Sequence, residues 1–343
     1  MRPFAFLLIL ALSAGCLRAQ SPTVLQLDDR HTVLLLDSLQ ASEAVVQDTV
    51  DHFFDRIGRV DMEIQLHRDL SGLEREESLE LYRAFLAQDV RSFSEKEAKL
   101  AASTMQQAFA LCNALNPEIF PDRIRLIKTA GKYYGPGVYY TREDYIVIPE
   151  DALAADGQES LLTVMLHEIF HVFSRYRPEM RRELYALIGF EPLEGLQLPK
   201  PVQERLLLNP DGIDLAWGMR IADGAGESRL IVPVITSWTL DYEEGREAFF
   251  DYLRFQLFPA EVGEDGRWQL ISNDEGASML GDAAMINYFR QSGGNTQYLI
   301  HPDEILADNF VYVLYSHQMP EYAQQFQEAG RALIQTMTKA LEK

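Results

Sequence analysis

The stretch Glu159–Arg175 reads ESLLTVMLHEIFHVFSR, and its pattern decides the fold. Leu161, Leu162, Val164, Met165, Leu166, Ile169, Phe170, Val172 and Phe173 leave almost no polar face. A run of this length without Gly or Pro is a helix buried on nearly all sides. Three polar side chains sit inside it: His167, Glu168 and His171. Polar groups in an apolar interior are costly unless they are paired or bound to a metal. Residues four apart lie one above the other on a helix, so the two imidazoles share a face and can share one ion. Glu168 is offset by one position, which sets its carboxylate beside such an ion rather than on it.

Working outward, the chain before this helix changes character once. Residues 41–115 read as helical, with Val45, Val46, Val50, Phe53, Phe54 and Ile57 at helical spacing and Leu79, Leu81, Tyr82, Phe85 and Leu86 likewise. Ser94 with Glu97 makes a capping box ahead of a long helix through Leu115. Asn116-Pro117 and Pro121 then break the chain, and Arg123–Thr129 (RIRLIKT) alternates at period two. Gly131, Gly135, Pro136 and Gly137 mark turns, and strands are expected at Val138–Thr141 and Tyr145–Ile148. Beyond the buried helix, strands are expected at Leu230–Trp238 and Trp268–Ile271 and a helix at Glu244–Phe255. Helices from Pro302 to Tyr315 and from Glu321 to Leu341 close the chain. The expected class is α+β: a helical N-terminal region over 20–118, then a small mixed sheet with helices packed on it over 119–343, carrying a mixed α/β insertion at about 206–297.

The balance of residues excludes several other classes. With 18 Phe and 15 Tyr the 343-residue chain can fill a sizeable core, and 2 Cys rule out a disulfide scaffold. A formal charge of −21 repels phosphate backbones, so no nucleic-acid partner is expected. Arg2, the nine-residue apolar run Phe4–Leu12 and the small residues Ser13, Ala14 and Gly15 form a secretory signal over residues 1–19, too short to span a bilayer. Two processing routes stay open: cleavage after Ala19, leaving Gln20 first, or lipidation at Cys16, where Ser13-Ala14-Gly15-Cys16 resembles a lipobox with its aliphatic residue displaced to Leu12. The protein is therefore expected outside the cytoplasm, periplasmic or extracellular, touching a membrane only through a lipid at Cys16. Removal of the signal leaves Cys112 without an intramolecular disulfide partner.

His167-Glu168-Ile169-Phe170-His171 is an HExxH pentapeptide. Zinc lowers the pKa of a bound water to about 7, and a neighbouring carboxylate can take its proton as the water attacks a carbonyl. Such a site needs a third protein ligand and one open position. Ser174 and Arg177 exclude the metzincin continuation of the motif. Of the other histidines (His31, His52, His67, His301 and His317) none is as well placed as Glu304, which follows Pro302 at a helix start. Glu304 and Asp308 are four apart on one face. Glu304 can ligate, while Asp308 can accept the outer N–H of a ligating histidine and fix its tautomer. Glu243, Glu244 and Glu247 are rival third ligands.

HExxH followed at a distance by Glu304-Ile305-Leu306-Ala307-Asp308, an ExxAD, resembles the gluzincin zinc metallopeptidases, the thermolysin-like group. The resemblance covers these two motifs. It implies an antiparallel helix pair holding one Zn2+ per chain, a zincin-like domain, and an edge strand before the HExxH helix that pairs with an extended substrate backbone, here Tyr145, Ile146, Val147 and Ile148. It also implies a Tyr or His donating to the oxyanion, with Tyr298, His301 and Tyr312 as candidates.

The expected function is that of an exported zinc peptidase acting on peptides or proteins, with His167, His171 and Glu304 on the metal and Glu168 as general base. Two alternatives stay open on sequence alone. One is a non-catalytic envelope binding or scaffold protein on a peptidase fold, against which the intact Glu168 argues. The other is a zinc hydrolase of a non-peptide amide or ester.

Overall fold

The computed structural model describes residues 22–154, 158–222 and 228–343. Residues 1–19, the expected signal segment with Cys16, lie outside them. The first sheet contains β1 (Thr23–Gln26), β2 (Thr32–Leu35), β3 (Val90–Arg91), β4 (Arg123–Thr129), β5 (Tyr140–Arg142) and β6 (Tyr145–Pro149). Their order is β1-β2-β4-β6-β5, and the short β3 pairs with the end of β4. Strands β2, β4 and β6 are parallel neighbours, and β5 runs antiparallel to β6 at the edge. A second, antiparallel sheet has the order β11-β10-β9-β8-β7, from β7 (Phe190–Pro192), β8 (Trp217–Ala222), β9 (Ser228–Ser237), β10 (Leu253–Val262) and β11 (Trp268–Leu270). Among the described residues the helices of ten residues or more are α1 (Arg75–Asp89), α2 (Glu95–Leu115), α3 (Gln158–Tyr176), α4 (Pro178–Leu187), α5 (Asp282–Gln291), α6 (Pro302–Gln318) and α7 (Glu328–Leu341). The fold is α+β, as the sequence implies.

The period of two along the central strands sorts their side chains between two cores. Ile124, Leu126, Ile146 and Ile148 enter one core with Met105 and Ala108 of α2 and Met165, Ile169 and Phe170 of α3. Ile127, Tyr145 and Val147 enter the other, against Phe53, Phe54, Tyr82 and Leu86 of the N-terminal helical segments. The sheet is thus covered on both faces, which is why its strands read as near-continuous apolar runs. Fully burying one such side chain contributes about 1.5–3 kcal/mol. The second sheet turns Met219, Ile231 and Leu257 into the first core and keeps a smaller core of its own around Val232, Val234 and Phe258.

Three expectations change. The N-terminal region is not wholly helical: β1 and β2 join the same sheet as β4, so both parts of the chain share one sheet. The helix expected at Glu244–Phe255 is one turn, Phe249–Tyr252, followed by β10. From Leu253 onward the residues alternate at period two and pair in register with β9, and that pairing outweighs local helix propensity. Tyr145–Ile148 is not an edge strand. It is hydrogen-bonded to β4 on one side and β5 on the other, and its side chains are buried, so it offers no free edge to a peptide. The edge belongs to Tyr140–Arg142. A tight turn at Glu143-Asp144 joins the two strands, with Glu143 in the left-handed region (φ 48°). Its carboxylate accepts from Thr49 N at 2.7 Å and Val50 N at 2.8 Å, which ties the turn to the N-terminal region.

Candidate metal centre

Helices α3 and α6 lie side by side and antiparallel. Thr163 Oγ1 meets the Tyr315 hydroxyl at 2.7 Å, His167 meets Asp308, and Ser174 meets Asp303, so residue numbers rise along one helix as they fall along the other. Helix α6 starts where the sequence places it. Pro302 occupies the first turn, and His301 Nδ1 caps it by accepting from Asp303 N at 3.1 Å.

Between the helices three ligand-type atoms converge. Glu304 Oε2 lies 3.0 Å from His167 Nε2 and 3.4 Å from His171 Nε2, and one ligand atom from each residue falls within 4.8 Å of the others. The outer nitrogens are engaged elsewhere. His167 Nδ1 donates to Asp308 Oδ1 at 2.9 Å, and His171 Nδ1 donates to Asp303 Oδ2 at 2.7 Å. Both bonds turn Nε2 inward, so that it is the Nε2 proton each ring would give up to take a metal. Asp308 also accepts from Thr296 Oγ1. Asp303 is buried and accepts two further bonds on Oδ1, from Ser174 Oγ at 2.6 Å and the Tyr185 hydroxyl at 2.7 Å.

The buried atoms test whether a cation fits. His171 Nε2 and Glu168 Oε2 have no hydrogen-bond partner, although His171 and Glu168 are 1% and 4% exposed. These orphaned atoms, beside two imidazoles and a buried carboxylate whose ligand atoms converge, fit the donor set of a zinc site. Without a cation the electrostatics are strained. Burial, then the charge of Asp211, pushes the Glu168 carboxyl up to about 8. Burial opposes a charge on His167, yet its bonds to Asp308 and Glu304 prevail and push it up to about 10. His171 is likewise held well above the usual imidazole range: burial opposes its charge, and Glu304 and Asp211 outweigh it. Glu304 sits well below the carboxylate range because His171 and His167 overcome its burial.

The remaining expected residues divide. Tyr298 is 44% exposed, and its ring stacks on His167 with centroids 5.8 Å apart, on the side open to solvent. His301 does not face the centre. It is buried, Nδ1 accepts from Asp303 N, and Nε2 donates to the Asp214 carbonyl at 3.0 Å, so neither nitrogen is left for an oxyanion. Tyr312 packs into an aromatic cluster with Phe326, ring centroids 4.7 Å apart. Glu243, Glu244 and Glu247 are exposed and outside the cluster, and Glu243 pairs with Arg246 at 3.0 Å.

Four residues of the site escape sequence reasoning: Asp303, Asn209, Asp211 and Tyr139. Asn209 Nδ2 donates to Glu304 Oε1 at 2.6 Å. Asp211 shares a second potential cation cluster with Glu168 and His171. The Tyr139 hydroxyl is pushed up to about 12 by burial and then by Glu168. Only Asp303 left a trace in the sequence, as an acid one position before Glu304.

No protein-family model matches the chain, and comparison with curated proteins and with solved structures finds no match.

Proposed function

We propose that the protein is a zinc-dependent peptidase of the gluzincin kind, with a zincin-like active-site helix pair, exported through residues 1–19. The observation that carries this is the convergence of ligand atoms from His167, His171 and Glu304, with His171 Nε2 and the neighbouring Glu168 Oε2 buried and without a hydrogen bond. His167, His171 and Glu304 would hold the ion, and Asp308 and Asp303 would orient the two imidazoles. A zinc ion in this donor set supplies a Lewis acid and lowers the pKa of a water at its open position to about 7.

The chain's own residues then have distinct tasks. Glu168 accepts a proton at Oε2, which no hydrogen bond occupies. Burial pushes its carboxyl up to about 8 in the metal-free protein; a cation beside it would offset that rise and leave a carboxylate able to take the proton and hand it to the leaving amine. Tyr298, whose ring stacks on His167 and is partly exposed, is the candidate to donate its hydroxyl proton to a substrate oxygen.

The test is metal analysis of the purified mature protein together with Glu168→Gln. One zinc per chain is expected in both proteins. Hydrolysis of unfolded protein substrates should fall by about 10²-fold or more in the variant. Absence of zinc from wild type, or full activity in Glu168→Gln, defeats the proposal.

A further inference from the structure

The segment from Leu206 to Asp214 crosses the centre as a strap. It is fixed at both ends. Leu207 N donates to the Ile235 carbonyl at 3.1 Å, Leu208 N donates to the buried Asp61 at 2.8 Å, and at the far end the Asp214 carbonyl accepts from His301. Its middle is held against the site by polar contacts. Asn209 grips Glu304 Oε1 at 2.6 Å. Asp211 Oδ1 accepts from both Thr141 N and Thr141 Oγ1 at 2.6 Å. Arg175 Nη2, one turn beyond His171, reaches Thr141 Oγ1 at 3.0 Å and the Thr141 and Pro210 carbonyls at 3.4 Å.

Thr141 is the central residue of β5, the edge strand. Its N–H and its carbonyl are therefore both occupied, by Asp211 and Arg175. The strap's carboxylate takes the position on the strand where the backbone of an extended peptide would pair. Asp211 also lies with Glu168 and His171 in one cluster of ligand-type atoms, next to the unpartnered Glu168 Oε2 and His171 Nε2. Behind His171 the strap leaves a cavity of only about 30 Å³, lined by Asp211, Gly212, His301 and Asp303 among others, so its inner side packs closely on the core. Gly212 seals the fit: a Cβ built there would lie 2.1 Å from His301 Nδ1.

We infer that the strap is an internal latch. Asp211 closes the centre on the Glu168 side and caps the β5 edge, so that a peptide substrate gains access only when Asn209–Gly212 lifts away. This latch presupposes the peptidase function proposed above. A cation in the centre strengthens it, because the charge of Asp211 beside Glu168 and Glu304 is otherwise repelled. The part of the strap that must move is held by hydrogen bonds and one tight backbone contact, while its anchors at Leu207 and Leu208 are in the core, as expected for a segment that opens locally.

The experiment uses zinc-loaded full-length mature protein and measures the affinity of a peptidyl hydroxamate by calorimetry, with zinc stoichiometry recorded in the same samples. Asp211→Asn keeps the size of the side chain but weakens its hold on Thr141 and on a cation. Gly212→Ala forces the strap off His301 without removing any carboxylate from the chain. Both variants should retain one zinc and bind the hydroxamate about 10-fold or more tighter than wild type, the gain expected when a state open at most about a tenth of the time becomes the main one. In cobalt-substituted protein, Asp211→Asn should also change the visible absorption if Asp211 reaches the ion. Zinc-loaded variants that bind the hydroxamate no tighter than wild type overturn the latch and leave the peptidase proposal standing. A wild-type protein that takes up no zinc overturns both.

Discussion

Zinc binding at this centre should expel protons, and the number follows from the hydrogen bonds. In the metal-free protein burial opposes a charge on His167, but Asp308 and Glu304 outweigh it and push the imidazole up to about 10. His171 is raised as well, with Glu304 and Asp211 overcoming its burial. Both rings carry a proton at pH 7, and an Nε2 that holds a proton cannot ligate. Loading one zinc at pH 7 should therefore release about two protons from the histidines and most of a third from Glu168, whose carboxyl is pushed up to about 8. For His167 the gap of about three pH units costs about 4 kcal/mol of binding free energy at neutral pH. Because proton and metal compete, apparent zinc affinity rises with pH until about pH 10 and falls in acid. The same pairing stabilises the metal-free fold fully below about pH 6.5, the ordinary histidine value, and that contribution disappears as pH rises through about 10. Metal and protons would thus exchange as countercharge to Glu304, Asp303 and Asp308. Calorimetric titration with zinc at pH 7, in two buffers of different ionisation enthalpy, gives the proton count directly. An apparent enthalpy independent of buffer would refute the assignment of both imidazoles as ligands, and so would one zinc retained by His171→Ala.

Three other outcomes are expected. Asp303→Asn and Asp308→Asn should each weaken zinc binding by about 10- to 100-fold, and Asp303→Asn should do more damage because its buried carboxylate serves three donors; a competition titration that ranks Asp308→Asn worse contradicts this order. Tyr298→Phe should lower turnover by about 10-fold or more with zinc affinity and substrate KM near wild type, since it removes one oxyanion donor and no ligand; unchanged kcat would remove Tyr298 from the chemistry. Cys112 is buried and burial raises its thiol far above the usual range, so it should resist thiol reagents in the folded protein and react on unfolding; rapid labelling of native protein would contradict its placement in the core.

Much of the fold was legible because its periodicities are long and clean. Arg123–Thr129 alternates over seven residues and forms a strand over that span. Ser94 and Glu97 form the reciprocal cap expected of them, with Ser94 N donating to Glu97 Oε2 at 2.6 Å and Ser94 Oγ accepting from Glu97 N at 3.3 Å. The misses have physical causes. Strands β1 and β2 are four residues each, too short for a period to register, and they are fixed by pairing with each other and with a strand about ninety residues away. At Glu244–Phe255 the residues Glu244, Arg246, Glu247 and Ala248 favour a helix locally, while the alternation that selects β10 begins only at Leu253. Exchange of the edge between Tyr145–Ile148 and Tyr140–Arg142 could not be read from either segment, because an edge is a property of the neighbours a strand lacks.

The site divides along the same line. His167, His171, Glu304 and Asp308 were legible because each pair is four apart, and helical geometry alone brings such pairs to one face. Asp303 was not, because an acid in the first turn of a helix already has a local explanation in the helix dipole. Its role depends on how the two helices cross. They run antiparallel, so His171, one turn beyond His167, meets α6 nearer its start, where Asp303 rather than Asp308 is in reach. The same crossing brings Ser174 and Tyr185 to the other oxygen of Asp303, and no spacing rule contains those contacts. Asn209-Pro210-Asp211-Gly212 was hidden for a related reason: Asn, Pro, Asp and Gly together read as an ordinary turn. Only the packing of that turn over β5 and α6 makes its Asp a neighbour of Glu168. Residues that ligate through a repeat on one helix can therefore be read from the chain, whereas residues that orient or cover the ligands come from crossings and loops and become visible only once the helices are in place.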